Sequence, residues 1–126
     1  MERLDLTPLL DSTIGSLSKG QRKRALLAIG LLMPQPVLLA DEPFDGLDLR
    51  QSRDVAQTLR SYASGGRTMF LSIHQLTDAA RVCDRFVLLS GGAIRGEGTI
   101  DQLASLAAAR GGGASGDLEE VFLALT

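Results

Sequence analysis

Apolar residues along this chain fall into short continuous runs and longer stripes with helical spacing. Three continuous runs lie at residues 37–40, 68–73 and 86–89. Runs of this length, bounded by turn-forming or charged residues, predict β-strands inside a sheet. Between the first two runs, residues 49–63 carry apolar side chains at helical spacing among charged ones, which predicts an amphipathic helix. The order strand, helix, strand predicts a right-handed βαβ unit with parallel strands.

Another helix is predicted before this unit. Ser18 and Gln21 have the spacing of a capping box, and no proline follows until Pro34, so we expect a helix at residues 19–32. Its apolar residues occupy most of the helix circumference, which predicts that the helix is largely buried. Pro34 and Pro36 end this helix before the first strand begins.

Turn signals organise the chain after the second strand. Residues 76–82 predict a short helix, and a glycine pair at 91–92 separates the run at 86–89 from residues 93–96. Two such segments joined by two glycines predict a β-hairpin.

The last part of the chain predicts two more helices and a spacer. Thr99 and Gln102 repeat the capping-box spacing, and residues 111–116 read GGGASG, a composition typical of a flexible linker. We therefore predict a main domain at 1–110, a linker at 111–116 and a terminal amphipathic helix at 117–126. One face of that helix is apolar: Leu118, Val121, Phe122 and Leu125. This face either packs in the core or binds a partner chain.

Composition narrows the class of protein. The 126 residues are 44% apolar and 4% aromatic without tryptophan, which favours a single soluble α/β domain over a β-sandwich. The net charge of −2 offers no basic face, so nucleic acid is not an expected partner. Cys83 is the only cysteine, which excludes an intrachain disulfide and predicts a buried, unreactive thiol. No apolar run is long enough to span a bilayer.

Acidic and basic side chains follow two of the predicted strands. Asp41 and Glu42 come directly after the run at 37–40, and His74 comes after the run at 68–73. Ligands of parallel sheets bind at the carboxyl ends of strands. An aspartate there can hold Mg²⁺ while the next glutamate activates water, as phosphoryl transfer to water requires. Taken alone, the same acidic pair before Pro43 would better fit a solvated turn, but the preceding VLLA and the following GLD favour the functional interpretation.

Four motifs occur in a fixed order along the chain. They are LSKGQ at 17–21, VLLAD at 37–41 followed by Glu42, FDGLD at 44–48, and His74. In order and spacing they resemble the signature motif, Walker B strand, D-loop and switch histidine of the nucleotide-binding domain of ABC ATPases. The resemblance runs from about Leu4 to the C-terminus. It implies a partial P-loop NTPase fold of the α/β class, with a parallel sheet and flanking helices.

The resemblance also implies ATP and Mg²⁺ as cofactors, with separate roles for the strand-end residues. Asp41 would hold Mg²⁺ through water, and Glu42 would activate the attacking water. His74 would contact the γ-phosphate of ATP. Asp48 would couple two nucleotide sites across a dimer of nucleotide-binding domains.

By the same resemblance, the segment before the first helix acts on a partner subunit. Ser18, Lys19, Gly20 and Gln21 would face the γ-phosphate of ATP bound to the opposite subunit. A helix N-terminus supplies free N–H donors, and Gly20 permits close approach of an anion. A plain helix cap made by Ser18 fits the same residues. Lys19 replaces a consensus glycine, and its side chain either adds positive charge near phosphate or points to solvent.

A phosphate loop of the form GxxxxGK[ST] occurs nowhere in the chain. The resemblance places the strand that feeds this loop between the strand before His74 and the run at 86–89, so we expect a gap in the sheet there. We also expect weak or no ATP binding by the isolated chain, no ATPase activity, and low solubility or oligomeric packing caused by unpaired strand edges.

Three functional hypotheses follow. The first is the C-terminal part of the ATPase subunit of an ABC transporter. The tail DLEEVFLALT resembles the ending of bacterial export-type ABC ATPase subunits, and this resemblance implies an exporter. The second is a short non-catalytic module that pairs in trans with a complete nucleotide-binding domain, and the third is an ABC ATPase without a transport role. The first implies permease subunits and a second nucleotide-binding domain as partners, and a cytoplasmic position on the inner face of the cell membrane.

Overall fold

The computed structural model describes residues 4–111 and 117–126, which form two compact units that meet in sequence after His74. Two 3-10 turns, Thr7–Leu9 and Ile14–Ser16, precede the first helix. The helices are α1 Lys19–Leu32, α2 Leu49–Ser64, α3 Leu76–Val82, α4 Ile100–Ala109 and α5 Leu118–Leu125. The strands are β1 Val37–Asp41, β2 Thr68–Ser72, β3 Phe86–Ser90 and β4 Ala93–Gly98. Every helix and strand predicted from the sequence is present.

The first unit contains the predicted βαβ arrangement. Strands β1 and β2 pair in parallel, with register partners from Val37 and Thr68 to Asp41 and Ser72. Helix α2 connects them and buries Val55 and Leu59 completely. The amphipathic pattern of this helix therefore faces the core of the unit, as predicted.

Helix α1 is less buried than its sequence predicts. Leu26, Ile29 and Leu32 are 58%, 55% and 75% exposed, while its buried residues are Gly20, Arg24, Leu27 and Ala28. The expectation of a largely buried helix was therefore wrong. A helix that is apolar on every side buries only the faces that find a packing partner, and within the first unit α1 finds one on a single side.

Arg24 forms part of that buried side. The residue is 5% exposed, and its Nη1 donates a hydrogen bond of 2.8 Å to the carbonyl of Leu4 and lies 3.6 Å from an Asp5 carboxylate oxygen. A buried charge needs such partners. Arg24 thus ties the N-terminal segment to α1.

The β1–β2 sheet is also exposed on one face. Burial alternates along both strands, so Leu39 is 74% and Phe70 67% exposed while their neighbours are half-buried. Successive side chains of a strand point to opposite faces, and one face of this sheet is uncovered within the unit. The prediction of interior strands was therefore wrong, since one face is exposed and the other is only half-buried.

The second unit is built on the predicted hairpin. Strands β3 and β4 pair antiparallel with an irregularity between Leu88 and Leu89, and the turn residues Gly91 and Gly92 have φ of 59° and 73°. Positive φ at both central positions is the geometry that a two-residue hairpin turn requires. Among the described residues the strands form two two-stranded sheets, one in each unit, and the expected gap between β2 and β3 stays a prediction.

The terminal helix packs into the core of the second unit. Leu118, Val121 and Leu125 of α5 are at most 5% exposed, and Leu103 and Ala107 of α4 are fully buried. Of the two roles open for its apolar face, core packing is the one observed. Residues 112–116 of the predicted linker lie outside the described residues, so the division at 111–116 stays a prediction.

The structure also bears on the predicted burial of the thiol and on membrane-spanning helices. Cys83 is half-buried rather than fully buried. Among the described residues, no helix is both long enough and apolar enough to cross a membrane.

Candidate functional site

The carboxyl ends of β1 and β2 bring Asp41 and Ser72 side by side. They are the last residues of their strands and register partners in the parallel sheet. The hydroxyl of Ser72 donates a hydrogen bond to Oδ1 of Asp41. This contact holds an exposed carboxylate in a defined orientation at the strand end, where the sequence predicted a metal ligand.

Glu42 turns sharply away from β1. Its φ of 47° is in the left-handed region, which a glutamate adopts at a cost of about 1–2 kcal/mol. The Glu42 N–H donates a hydrogen bond of 3.0 Å to the carbonyl of Ser72, which holds the turn against β2. Such an outlier at a strand end is typical of a functional site.

This turn brings Glu42 to His74. Oε2 of Glu42 lies 2.7 Å from Nδ1 of His74 and 3.4 Å from its backbone N–H. An ionised carboxylate only accepts hydrogen bonds, so Nδ1 of His74 is the donor in this contact, and Nε2 is the ring nitrogen left for a ligand. The side chains of Glu42 and His74 are 31% and 62% exposed, so the pair is open to a ligand.

The N-terminus of α1 has the predicted capping box. Oγ of Ser18 accepts a hydrogen bond of 3.2 Å from the Gln21 N–H, and the Gln21 side chain accepts one of 2.9 Å from the Ser18 N–H. The side chains of both residues are therefore engaged in the cap. The backbone N–H groups of Lys19 and Gly20 belong to the first turn and have no acceptor within the helix.

Lys19 makes an ion pair within the chain while its side chain stays largely exposed to solvent. Its Nζ lies 2.8 Å from Oδ2 of Asp45, a residue that the sequence did not single out. The Lys19 ammonium lowers the pKa of Asp45 below its ordinary value of 3.8, chiefly through this hydrogen bond. Lys23, one turn further along α1, donates a hydrogen bond of 3.2 Å to the carbonyl of Asp41. Two lysines of α1 thus reach the acidic turn.

Asp48 is the N-cap of α2. Its Oδ1 accepts a hydrogen bond of 2.8 Å from the Gln51 N–H, and the Gln51 side chain accepts one of 3.3 Å from the Asp48 N–H. This capping box accounts for the side chain structurally. A role in coupling two sites stays a prediction for Asp48.

The structure therefore groups the predicted residues in two places. Asp41, Glu42 and His74 meet at the ends of β1 and β2, and Ser18 to Gln21 form the start of α1. Sequence reasoning missed Ser72 and Asp45. The parallel register points to Ser72, because it ends β2 as Asp41 ends β1. Asp45 lies inside the FDGLD motif, but no local pattern indicates its contact with Lys19, 26 residues away in sequence.

The strand-end donors fit a magnesium ion that also binds phosphate. Among the described residues there is no group of three or more His, Cys, Asp or Glu side chains that would enclose a metal. Magnesium in nucleotide sites needs only one or two carboxylates, with phosphate and water as its other ligands. Asp41, exposed and oriented by Ser72, is the residue that would hold it.

Known proteins match this chain in sequence and in fold. A family model described as ABC transporter matches residues 1–45. A daunorubicin resistance ATP-binding protein of Streptomyces coeruleorubidus is 37% identical over 82% of this chain and 33% of its own length. A phosphonates import ATP-binding protein of Nostoc sp. is 38% identical over 82% of this chain and 43% of its own length. The solved structure of an ATP binding subunit of an ABC transporter matches with a TM-score of 0.83 and 29% identity, over 98% of this chain and 50% of that chain.

These matches confirm the predicted P-loop NTPase fold of the α/β class. The chain spans about a third of the length of the daunorubicin resistance protein and less than half that of the phosphonates import protein. Within that span the sequence and the fold both match, and the chain belongs to the family of ABC transporter ATP-binding domains.

Proposed function

We propose that this chain is the part of an ABC transporter ATPase that supplies the hydrolytic residues and the surface facing a partner's ATP. The observation that carries the proposal is the 2.7 Å contact between Glu42 and His74 beside the oriented carboxylate of Asp41. A base, its orienting imidazole and a metal-binding carboxylate on neighbouring strand ends are what hydrolysis of a phosphoanhydride needs.

Glu42 acts as the base in this proposal. His74 occupies Oε2, which leaves Oε1 to accept a hydrogen bond from the attacking water and then its proton. The His74 imidazole holds the Glu42 carboxylate in a fixed orientation, and its Nε2 remains for contact with the γ-phosphate. Magnesium held by Asp41 would neutralise charge on the phosphates.

The start of α1 faces ATP bound to a second nucleotide-binding domain. The N–H groups of Lys19 and Gly20 supply donors and the positive end of the helix dipole for the γ-phosphate. Ser18 and Gln21 shape this end through their capping box. Asp48, which begins α2, would couple the two sites of such a dimer.

Replacing Glu42 tests the proposal. Hydrolysis is measured in an extended protein, meaning this chain preceded by a segment that supplies a phosphate loop. Glu42→Gln keeps the shape but removes the base, so kcat falls by about 100-fold or more while ATP binding persists. The matched control is Glu97→Gln, an exposed carboxylate on β4, which leaves kcat unchanged. Equal kcat for Glu42→Gln and the unmodified protein would exclude a catalytic role for Glu42.

We propose permease subunits and a second ATP-binding domain as partners, and a position on the inner face of the cell membrane through the permease. Export is proposed from the tail DLEEVFLALT. The relatives' names include both daunorubicin resistance and phosphonates import, at 37% and 38% identity. Substrate uptake and release by vesicles containing the extended protein and its permease distinguish the two directions.

A second candidate is a module that acts only in trans, because the chain contains no GxxxxGK[ST] loop. The isolated chain is added to a complete ATP-binding domain whose own residues at the positions of Ser18 to Gln21 are mutated. Restored hydrolysis supports the trans module. Hydrolysis that requires the extended protein supports the first proposal.

A further inference from the structure

Helix α1 and the turn after Glu42 approach each other backbone to backbone. A Cβ added to Gly20 would lie 2.6 Å from the carbonyl oxygen of Gly46, closer than atoms can pack. Gly20 is buried, and nothing larger fits at this point of α1. The glycine at this position therefore serves contact within the chain, apart from any contact with phosphate.

Lys19 covers the other side of the same contact. A Cβ on Gly46 would lie 3.3 Å from two methylene carbons of the Lys19 side chain, so this stem passes directly over Gly46. Beyond it, Nζ reaches the carboxylate of Asp45 at 2.8 Å. Gly46 has a φ of 79°, which lets the turn present Asp45 and its own carbonyl toward α1.

The turn that contacts Lys19 is held by backbone hydrogen bonds within the turn. The Asp45 N–H donates to the carbonyl of Glu42 at 3.1 Å, and the Leu47 N–H donates to the carbonyl of Phe44 at 3.1 Å. Phe44 is 5% exposed and anchors the turn in the core. Glu42 begins this turn and Asp48 ends it. The position of the turn therefore sets the positions of both residues.

We propose that Lys19 is a positioning residue that clasps the turn 42–48 to the first turn of α1, so that the two move as one body. This rests on the proposed function, since the clasp would fix the helix N-terminus relative to the base Glu42. The ion pair is largely exposed, with side chains 71% and 41% accessible, so it contributes little to overall stability. The effect of the ion pair is to fix the position of the turn relative to α1.

A charge-swap series tests the clasp in two ways. The variants are Lys19→Glu, Asp45→Lys and the double variant, with Arg22→Gln as a matched control on the exposed side of α1. In the 126-residue chain without nucleotide, amide hydrogen exchange of residues 43–48 should become several-fold faster in each single variant. It should return toward the unmodified rate in the double variant and stay unchanged in Arg22→Gln.

ATP turnover of the extended protein gives the second readout. Each single variant should lower kcat several-fold, and the double variant should restore most of it. Direct contact of Lys19 with phosphate predicts instead a higher KM for ATP in Lys19→Glu without rescue by Asp45→Lys, which would overturn the proposal. Unchanged exchange in the single variants would also overturn it. An extended protein that hydrolyses no ATP counts against the proposed function, whereas the exchange experiment still decides the clasp.

Discussion

At the scale of single residues, the backbone of Glu42 determines what its carboxylate can do. An extended residue after β1 would continue the direction of the strand, and the left-handed φ of 47° instead turns the chain at this point. The hydrogen bond to the carbonyl of Ser72 and the contact with His74 offset the conformational cost. The strand ends in the sequence predicted that Glu42 and His74 lie near each other, as the structure shows. The strained backbone that joins them depends on tertiary contacts and is not readable from the sequence.

A second prediction at the residue scale concerns the pKa of Asp45, which the Lys19 ammonium lowers. Smaller contributions in the same direction come from Lys23 and His74, while burial opposes them. A carboxyl whose folded pKa is lowered stabilises the fold above its unfolded pKa and loses that contribution as pH falls through the folded value. The pair therefore acts at neutral pH and is lost in acid below the ordinary value of 3.8. Lys19→Met should raise the pKa of Asp45 toward 3.8.

Carbon-13 NMR titration of the Asp45 carboxyl measures this shift. Arg22→Gln removes a neighbouring positive charge that does not contact Asp45, and it should leave the titration midpoint in place. A midpoint of Asp45 that is the same with and without Lys19 would show that the ion pair does not persist in solution.

At the scale of elements, prediction succeeded where local signals and burial agree. Helix α2 has an Asp48 cap at its start, glycines at its end and an apolar face that meets the core, so its bounds and orientation were both predicted. Helix α1 was predicted at the right residues from its capping box, yet its burial was wrong. Its bounds depend on local sequence, whereas its exposure depends on which other elements pack against it.

A substitution at Leu59 in α2 measures how much the packing of this helix stabilises the first unit. Leu59 is fully buried, so Leu59→Ala should lower the free energy of unfolding by about 2–5 kcal/mol. Urea unfolding can be followed by Tyr62 fluorescence, because Tyr62 is the only tyrosine, there is no tryptophan, and it lies in α2. Leu49→Ala, at a residue 62% exposed in the same helix, should change stability by less than about 0.5 kcal/mol. Equal losses for both variants would contradict the observed orientation of α2.

At the scale of the whole molecule, the site stands at the edge of an uncovered apolar surface. Val37, Leu39 and Phe70 lie on one face of the β1–β2 sheet and are 51%, 74% and 67% exposed. Asp41 and Ser72 continue the same face at its carboxyl end. A two-stranded sheet with a bare apolar face is marginal by itself. The polar residues of the candidate site thus lie next to an exposed apolar face of the β1–β2 sheet.

This surface leads us to expect that the 126-residue chain self-associates. Exposed apolar area and unpaired strand edges favour contact between copies, so the mass from light scattering should rise above the monomer value of 13.4 kDa as concentration increases. Leu39→Thr with Phe70→Thr keeps β-propensity but removes most of the apolar face, and it should shift the chain toward monomer. Leu10→Thr, a matched change at a leucine 61% exposed outside the sheet, should not. A monomeric, cooperatively unfolding sample of the unmodified chain at every concentration would show that this face does not drive association.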